Sequence, residues 1–196
     1  MIAAAVAAVV VVGAVVGAVV AFSGGGSSPA GASVAQGSLA GLQTGKAPWS
    51  ANATDLSARL KTLGLPALTQ EGTVLHSHQH LDLYVNGKKQ PVPMGIGIDP
   101  AQQFIATIHT HDPTGVIHVE SPTRNDFTLG QFFGTWGVRF TPTRVGSYSG
   151  YELYLDGERY TGNPTKLVLR DHQELALVVG KTPATVPASY SFPAGD

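Results

Sequence analysis

The sequence predicts a mainly β domain of the α+β class. Two related, hairpin-containing halves would form a compact sandwich or barrel-like body, with one amphipathic helix between them and a single N-terminal transmembrane helix ahead of them. Three observations lead to this. Six of the seven histidines lie between His76 and Glu120, as His-x-His-x-His, His-x-His and His-x-Glu. A period of two is that of a β-strand, where residues i and i+2 share a face. Turn chemistry punctuates the chain: Asn86-Gly87 and Asp112-Pro113-Thr114-Gly115 interrupt extended segments, and glycine and proline number 24 and 13, which suits short strands and many turns. The chain also repeats itself. A shift of seventy residues lays LDLYVNGKK (81–89) on YELYLDGER (151–159), and QFIATIH (103–109) on QELALVV (173–179), giving halves of about 74–138 and 145–192.

Taken in order, Ile2 to Phe22 contains only Ala, Val, Gly, Ile and Phe. Twenty-one uncharged residues suffice to cross a hydrocarbon core of about 30 Å as a helix. A cleaved signal peptide is the alternative, but no basic residue precedes the run and no cleavage signal directly follows it. Residues 1–22 are therefore read as a single-pass anchor in contact with membrane lipid. Gly13 and Gly17 form a Gly-x-x-x-Gly that permits close approach of a partner transmembrane helix. Residues 23–50 are rich in Gly, Ser and Ala and read as a flexible tether. Residues 51–196 are the globular domain, expected on the extracytoplasmic side of the cell membrane. That length supports one domain with a real core.

Within the domain, Asp55 to Leu63 reads as a short helix capped by Thr54 and ended by Gly64, with Leu56, Leu60 and Leu63 as its apolar stripe. His80–Val85, the Asn86-Gly87 turn and a return from Lys88 make the first hairpin, with Leu81, Leu83 and Val85 on one face and His78, His80, Asp82 and Tyr84 on the other. A second hairpin joins Phe104–His111 to Val116–Ser121 through a type I turn. Two registers are open. One sets His111 against Val116, His109 against His118 and Thr107 against Glu120, leaving Ala106, Ile108, Ile117 and Val119 on the opposite face. A one-residue slip mixes histidines with those apolar residues, so the hydrophobic pattern favours the first. Thr128–Trp136 is a second helix, with a Thr128/Gln131 capping box, a Phe127/Phe132 staple, a stripe of Leu129, Phe132, Phe133 and Trp136, and Gly137 as its stop.

Composition narrows the function. Formal net charge is −1 and there is no Lys/Arg run, which argues against nucleic acid as a partner. Cysteine is absent, which removes disulfides, thiolate zinc sites and iron–sulfur clusters. The histidines remain. Imidazole is the commonest protein metal ligand, and rings on adjacent strands can converge on one ion. His109, His111 and His118 are the first choice because one hairpin delivers all three. His78 and His80 join if their strand lies beside it, and His76, near a strand's start, is the weaker candidate. Glu120, Asp112 and Asp82 are read as partners that orient the imidazoles from behind. Nitrogen and oxygen donors suit zinc, copper(II), nickel or non-haem iron without choosing among them; zinc or copper is the expected ion. The histidines belong to one half only: His80, His109 and His111 correspond to Gly150, Val179 and Lys181 in the second. His172 is read as an ordinary surface residue.

The strings HSHQHLDLYVNG, PMGIGI (93–98), IHTHDPTGVIHVESP (108–122) and FTLGQFFGTWGV (127–138) resemble a family of bacterial and archaeal proteins that often carry an N-terminal membrane segment, over about residues 54–193. The resemblance implies that His78, His80, His109, His111 and His118 act as a set, and it implies no reaction. Three readings follow: a membrane-anchored domain that binds a transition metal, an accessory or scaffold subunit of a membrane complex recruited through the N-terminal helix, and a metalloenzyme with three histidines and an open position on its ion. A hydrogen-bonded or pH-responsive histidine cluster is the alternative to metal binding.

Overall fold

A computed structural model describes residues 38–195. The expected membrane span and the helix partner at Gly13 and Gly17 lie outside the described residues, and among the described residues no helix is long and apolar enough to cross a membrane. Residues 38–50, expected to be tether, are instead packed: Leu39 and Trp49 are buried in the core. Gln43 exchanges backbone hydrogen bonds with Gly137 and Arg139, and the Trp136 indole N–H donates to the Ser50 carbonyl at 2.9 Å. The composition of this segment hid two large apolar anchors among small residues.

Helix α1 (Leu56–Leu63) buries Leu56, Leu60 and Leu63 as expected, and Gly64 closes it in the left-handed region with φ 68°. Its N-cap is Asp55 rather than Thr54, and no side chain caps it. Arg59, fully buried on the same helix, donates to the carbonyls of Asn52 and Thr54, which ties the segment before α1 to its flank. Then come β1 (Ala67–Leu68), β2 (Leu75–Val85), β3 (Lys88–Gln90), β4 (Ile98–Asp99), β5 (Phe104–Ala106), β6 (Ile108–His109) and β7 (Val116–Ser121). Helix α2 (Leu129–Trp136) follows with the full capping box between Thr128 and Gln131. The chain ends with β8 (Phe140–Thr141), β9 (Arg144–Val145), β10 (Tyr148–Ser149), β11 (Glu152–Leu155), β12 (Glu158–Arg159) and β13 (Glu174–Val179).

The main sheet has seven strands in the order β12-β11-β13-β2-β7-β6, with β3 sharing the β7 edge of β2, and two three-stranded sheets flank it. The main sheet is open rather than closed into a barrel. Strand β2 lies at its centre: it pairs antiparallel with β7 through residues 75–80 and parallel with β13 through residues 80–85. This register separates the faces. Leu81, Leu83, Ile108, Ile117, Val119, Leu175 and Leu177 point into one apolar core with Leu129, Phe132, Phe133 and Trp136 of α2. By the alternation of a pleated strand, His76, His78, His80, Asp82, His109, His118, Glu120 and Glu174 occupy the other face.

The repeat holds for the hairpins. Asn86-Gly87 and Asp156-Gly157 both adopt positive φ (49° and 76°, 51° and 80°), as a type I′ turn requires, and each joins two antiparallel strands. It does not hold beyond them. QELALVV forms one continuous strand between β11 and β2, whereas QFIATIH divides at Thr107: β5 joins β1 and β4, and only β6 stays on the main sheet. β13 is fixed by partners on both sides, while β6 lies at an edge where the chain is able to turn away.

Candidate metal centre

The second hairpin takes the register that the apolar pattern favours. Ile108 pairs with Val119 and His109 with His118, and the Glu120 amide donates to the Thr107 carbonyl at 2.9 Å. The ladder stops at His109, so His111 is set by the turn rather than by a pairing with Val116. On the other edge of β7, His78 lies opposite His118, and His76 opposite Glu120. Three strands and the turn after β6 thus bring five imidazoles and one carboxylate to one patch. His118 is central: its ring is stacked on His109 at 5.4 Å, and stands edge-on to His78 and His111, both at 4.6 Å.

Among the described residues three groups of side chains have donor atoms close enough to hold an ion: His80, Asp82 and Glu174 form one, and the other two have common members. His76, His78, His118 and Glu120 make one, and His109, His111, His118 and Glu120 the other; within each, the ligand atoms lie within 4.8 Å of one another. The His76 and His78 Nε2 atoms are 3.2 Å apart, and those of His109 and His111 are 3.0 Å apart. Two ligands at adjacent corners of a tetrahedron with bonds of 2.0–2.1 Å are roughly 3.3 Å apart, so both pairs have chelating separations. Glu120 Oε1 is 3.3 Å from His76 Nε2, 3.4 Å from His118 Nδ1 and 4.0 Å from His109 Nε2. The carboxylate expected behind the imidazoles therefore lies among the atoms close enough to hold an ion.

His109 is the best defined ligand candidate. Its Nδ1 lies 2.9 Å from the Ala106 carbonyl. A carbonyl only accepts, so Nδ1 carries the proton and Nε2 presents a lone pair to the cluster. This is the arrangement by which a backbone oxygen fixes the tautomer of a metal-binding histidine. The side chain is 0% exposed. Burial pushes its pKa down to about 3, against the opposing pull of the Ala106 bond and helped by the neighbouring histidines. The ring is thus neutral, the form a metal requires.

A pH effect follows. The unfolded chain binds a proton at His109 below its ordinary pKa of about 6.5, and the folded chain does not until about 3. Between those values the unfolded state holds the extra proton, so stability falls as pH drops. For the metal-free chain this contributes about 2 kcal/mol of loss between pH 7 and pH 5. His109→Gln is expected to remove that part of the slope, as read by urea unfolding at the two pH values. A variant with the same slope as the parent contradicts the assignment.

His80 departs from the set. Its Nδ1 lies 2.7 Å from Glu174 Oε2, and its Nε2 lies 3.0 Å from the Thr114 carbonyl. The Nε2 must donate, and one further proton is shared with Glu174, so both nitrogens are engaged away from His78. The geometric cause is the parallel pairing that sets Glu174 directly beside His80. Burial pushes the Glu174 carboxyl up, with the His80 hydrogen bond pulling the other way. Tyr190 stacks on the His80 ring at 3.8 Å. Asp82 belongs with His80 and Glu174, where it accepts from the Tyr84 hydroxyl at 3.2 Å and pairs with Lys89. Asp112 is engaged within its own turn. Its carboxylate accepts from the Thr114 amide at 2.9 Å and from the Thr114 hydroxyl, and these bonds hold its pKa below the ordinary value.

His76 does more than its place near the strand start suggested, since β2 begins one residue before it. Sequence reasoning also missed three residues. Glu71 Oε1 is 3.2 Å from His111 Nε2, in a loop whose polar sequence gives no signal. Glu174 was legible in principle as a carboxylate opening an otherwise apolar strand. Asp171 accepts the His78 amide at 2.9 Å. His172 is half exposed and stacks on Phe192 at 4.6 Å.

No family model matches the chain, and no curated protein or solved structure shows significant similarity to it. The functional reading therefore rests on the arrangement of the side chains themselves.

Proposed function

We propose that this domain binds a transition metal ion, zinc or copper, through the histidine cluster on the polar face of β2, β7 and β6. The observation that carries the reading is His109: a neutral, buried imidazole whose Nδ1–H is spent on a carbonyl and whose Nε2 points at three further donors. A hydrogen bond between rings accounts for two pairs at 3.0–3.2 Å; what favours an ion is that His118 and Glu120 place further donor atoms within 4.8 Å of both pairs. The ion would be reachable from solvent, because the His76 and His111 side chains are 53% and 40% exposed. That favours an exchangeable ion over a sealed structural one.

Placement of the domain outside the cytoplasm on a membrane tether belongs to the same proposal and rests on the sequence of residues 2–22 alone. A second reading, a metalloenzyme, is favoured by one feature. A pocket of about 290 Å³ opens beside His76, with Arg124, Arg170 and Asp171 on its walls, and would admit a small molecule to the ion's open position.

The test is metal uptake by the tag-free, full-length chain. After stripping with chelator and dialysis against zinc, at least one equivalent is expected by elemental analysis. Less than a tenth of an equivalent for both zinc and copper overturns the reading.

A further inference from the structure

We infer that the cluster is built for two metal ions side by side, with the Glu120 carboxylate shared between them. The inference rests on the metal reading above and extends it. Six donors exceed the four that a tetrahedral ion takes, and the donors do not form one group. They divide into two groups of four that have only His118 and Glu120 in common. Each group owns a close histidine pair, His76 with His78 at 3.2 Å and His109 with His111 at 3.0 Å. Both pairs have i, i+2 spacing: His76 and His78 share a face of β2, and His111 follows His109 from the end of β6 into the turn.

The two pairs flank β7 on opposite edges, one on β2 and the other at the end of β6 and in the turn that follows it. His78 lies across from His118 on one edge, and His109 across from His118 on the other. β7 itself supplies the shared members, His118 and Glu120, two residues apart on its polar face. Adjacent strands are about 4.8 Å apart, which places two such centres within reach of the 3.5–4 Å separation typical of paired metal sites. Of the shared residues, only Glu120 has two equivalent oxygens that can serve both ions without losing a proton from a ring. Its Oε1 already approaches His76 on one side and His109 on the other, at 3.3 and 4.0 Å. His118 has its Nδ1 at 3.4 Å from the same oxygen and supplies a fourth donor to one of the pair. Glu71, 3.2 Å from His111, brings a second carboxylate to the outer side of the His109/His111 ion.

Copper(II) titration of the full-length, tag-free chain, followed by electron paramagnetic resonance and elemental analysis, tests this. Binding is expected to saturate at two equivalents, and the signal per ion is expected to fall by more than half as the second ion enters, because neighbouring copper(II) spins couple. His76→Gln, at the half-exposed edge, and the double variant His76→Gln/His78→Gln are each expected to lower saturation to one equivalent and to restore the full signal of an isolated ion. Saturation of the parent at one equivalent overturns the paired centre while leaving the metal reading intact. So does saturation at two with an undiminished signal, or with no change in the variants. A chain that takes up no copper overturns the metal reading itself.

Discussion

Replacing His118 with alanine is expected to weaken zinc binding by at least about a hundredfold. Loss of a residue that only supports a ligand already costs 10–100-fold in metal affinity, and His118 is more than a support. It belongs to both donor groups, and its ring touches His78, His109 and His111. No single substitution elsewhere on the face removes a histidine from both groups. The ring is largely buried, with 12% of the side chain exposed, so His118→Gln is the companion variant that keeps a polar side chain of similar length. Competition with a chromophoric zinc chelator measures the effect, and circular dichroism reports whether each variant folds. His172→Ala provides the comparison: its exposed ring is outside both groups and is expected to change zinc affinity less than twofold. Equal affinity in the His118 variants and the parent would mean that these rings are an internal hydrogen-bond network.

The second large effect is on stability. Glu174→Ala is expected to destabilise the fold by about 3 kcal/mol, because removing one member of a buried pair leaves the other without compensation. His80 is 2% exposed, and Glu174 is the partner its Nδ1 has among the described contacts: Thr114 holds the other nitrogen, and Tyr190 covers the face of the ring. Glu174→Gln keeps a group able to donate to a neutral Nδ1, and is expected to cost less than about 1 kcal/mol. Chemical denaturation of both variants at pH 7 decides it. Zinc affinity is expected to stay within twofold in Glu174→Gln, since His80 and Glu174 lie outside the two histidine-rich groups. If Glu174→Gln instead abolishes zinc binding, the separation of the face into two sites is wrong.

Sequence patterning carried far where the physics was local. The turn at Asn86-Gly87, the capping box at Thr128 and Gln131, and the stops at Gly64 and Gly137 all need only a few adjacent residues, and each appears as expected. The pairing of His109 with His118 was legible because a slip would have moved Ile108, Ile117 and Val119 out of the core. Long-range placement was not legible. Nothing in LDLYV or QELALVV states that the two segments pair in parallel, yet that pairing sets Glu174 beside His80 and withdraws His80 from the cluster. The same blindness misplaced Glu120. His-x-Glu alternation fixes its face, but only the position of β2 on the far edge of β7 brings His76 to within 3.3 Å of it. The repeat was real for the hairpins and misleading for QFIATIH, because an edge strand can break at Thr107 where a central one cannot. A compact sandwich or barrel-like body was expected from many short strands; the main sheet stays open, and residues of α1 and α2 pack into the core on its apolar face.

X-ray absorption at the zinc edge of the zinc-loaded full-length chain is the most direct measurement. A shell of three or four nitrogen or oxygen neighbours at 2.0–2.1 Å, with the outer-shell scattering of at least two imidazole rings per ion, is the expected result. A zinc ion surrounded by water oxygens, with no imidazole scattering, would contradict the account.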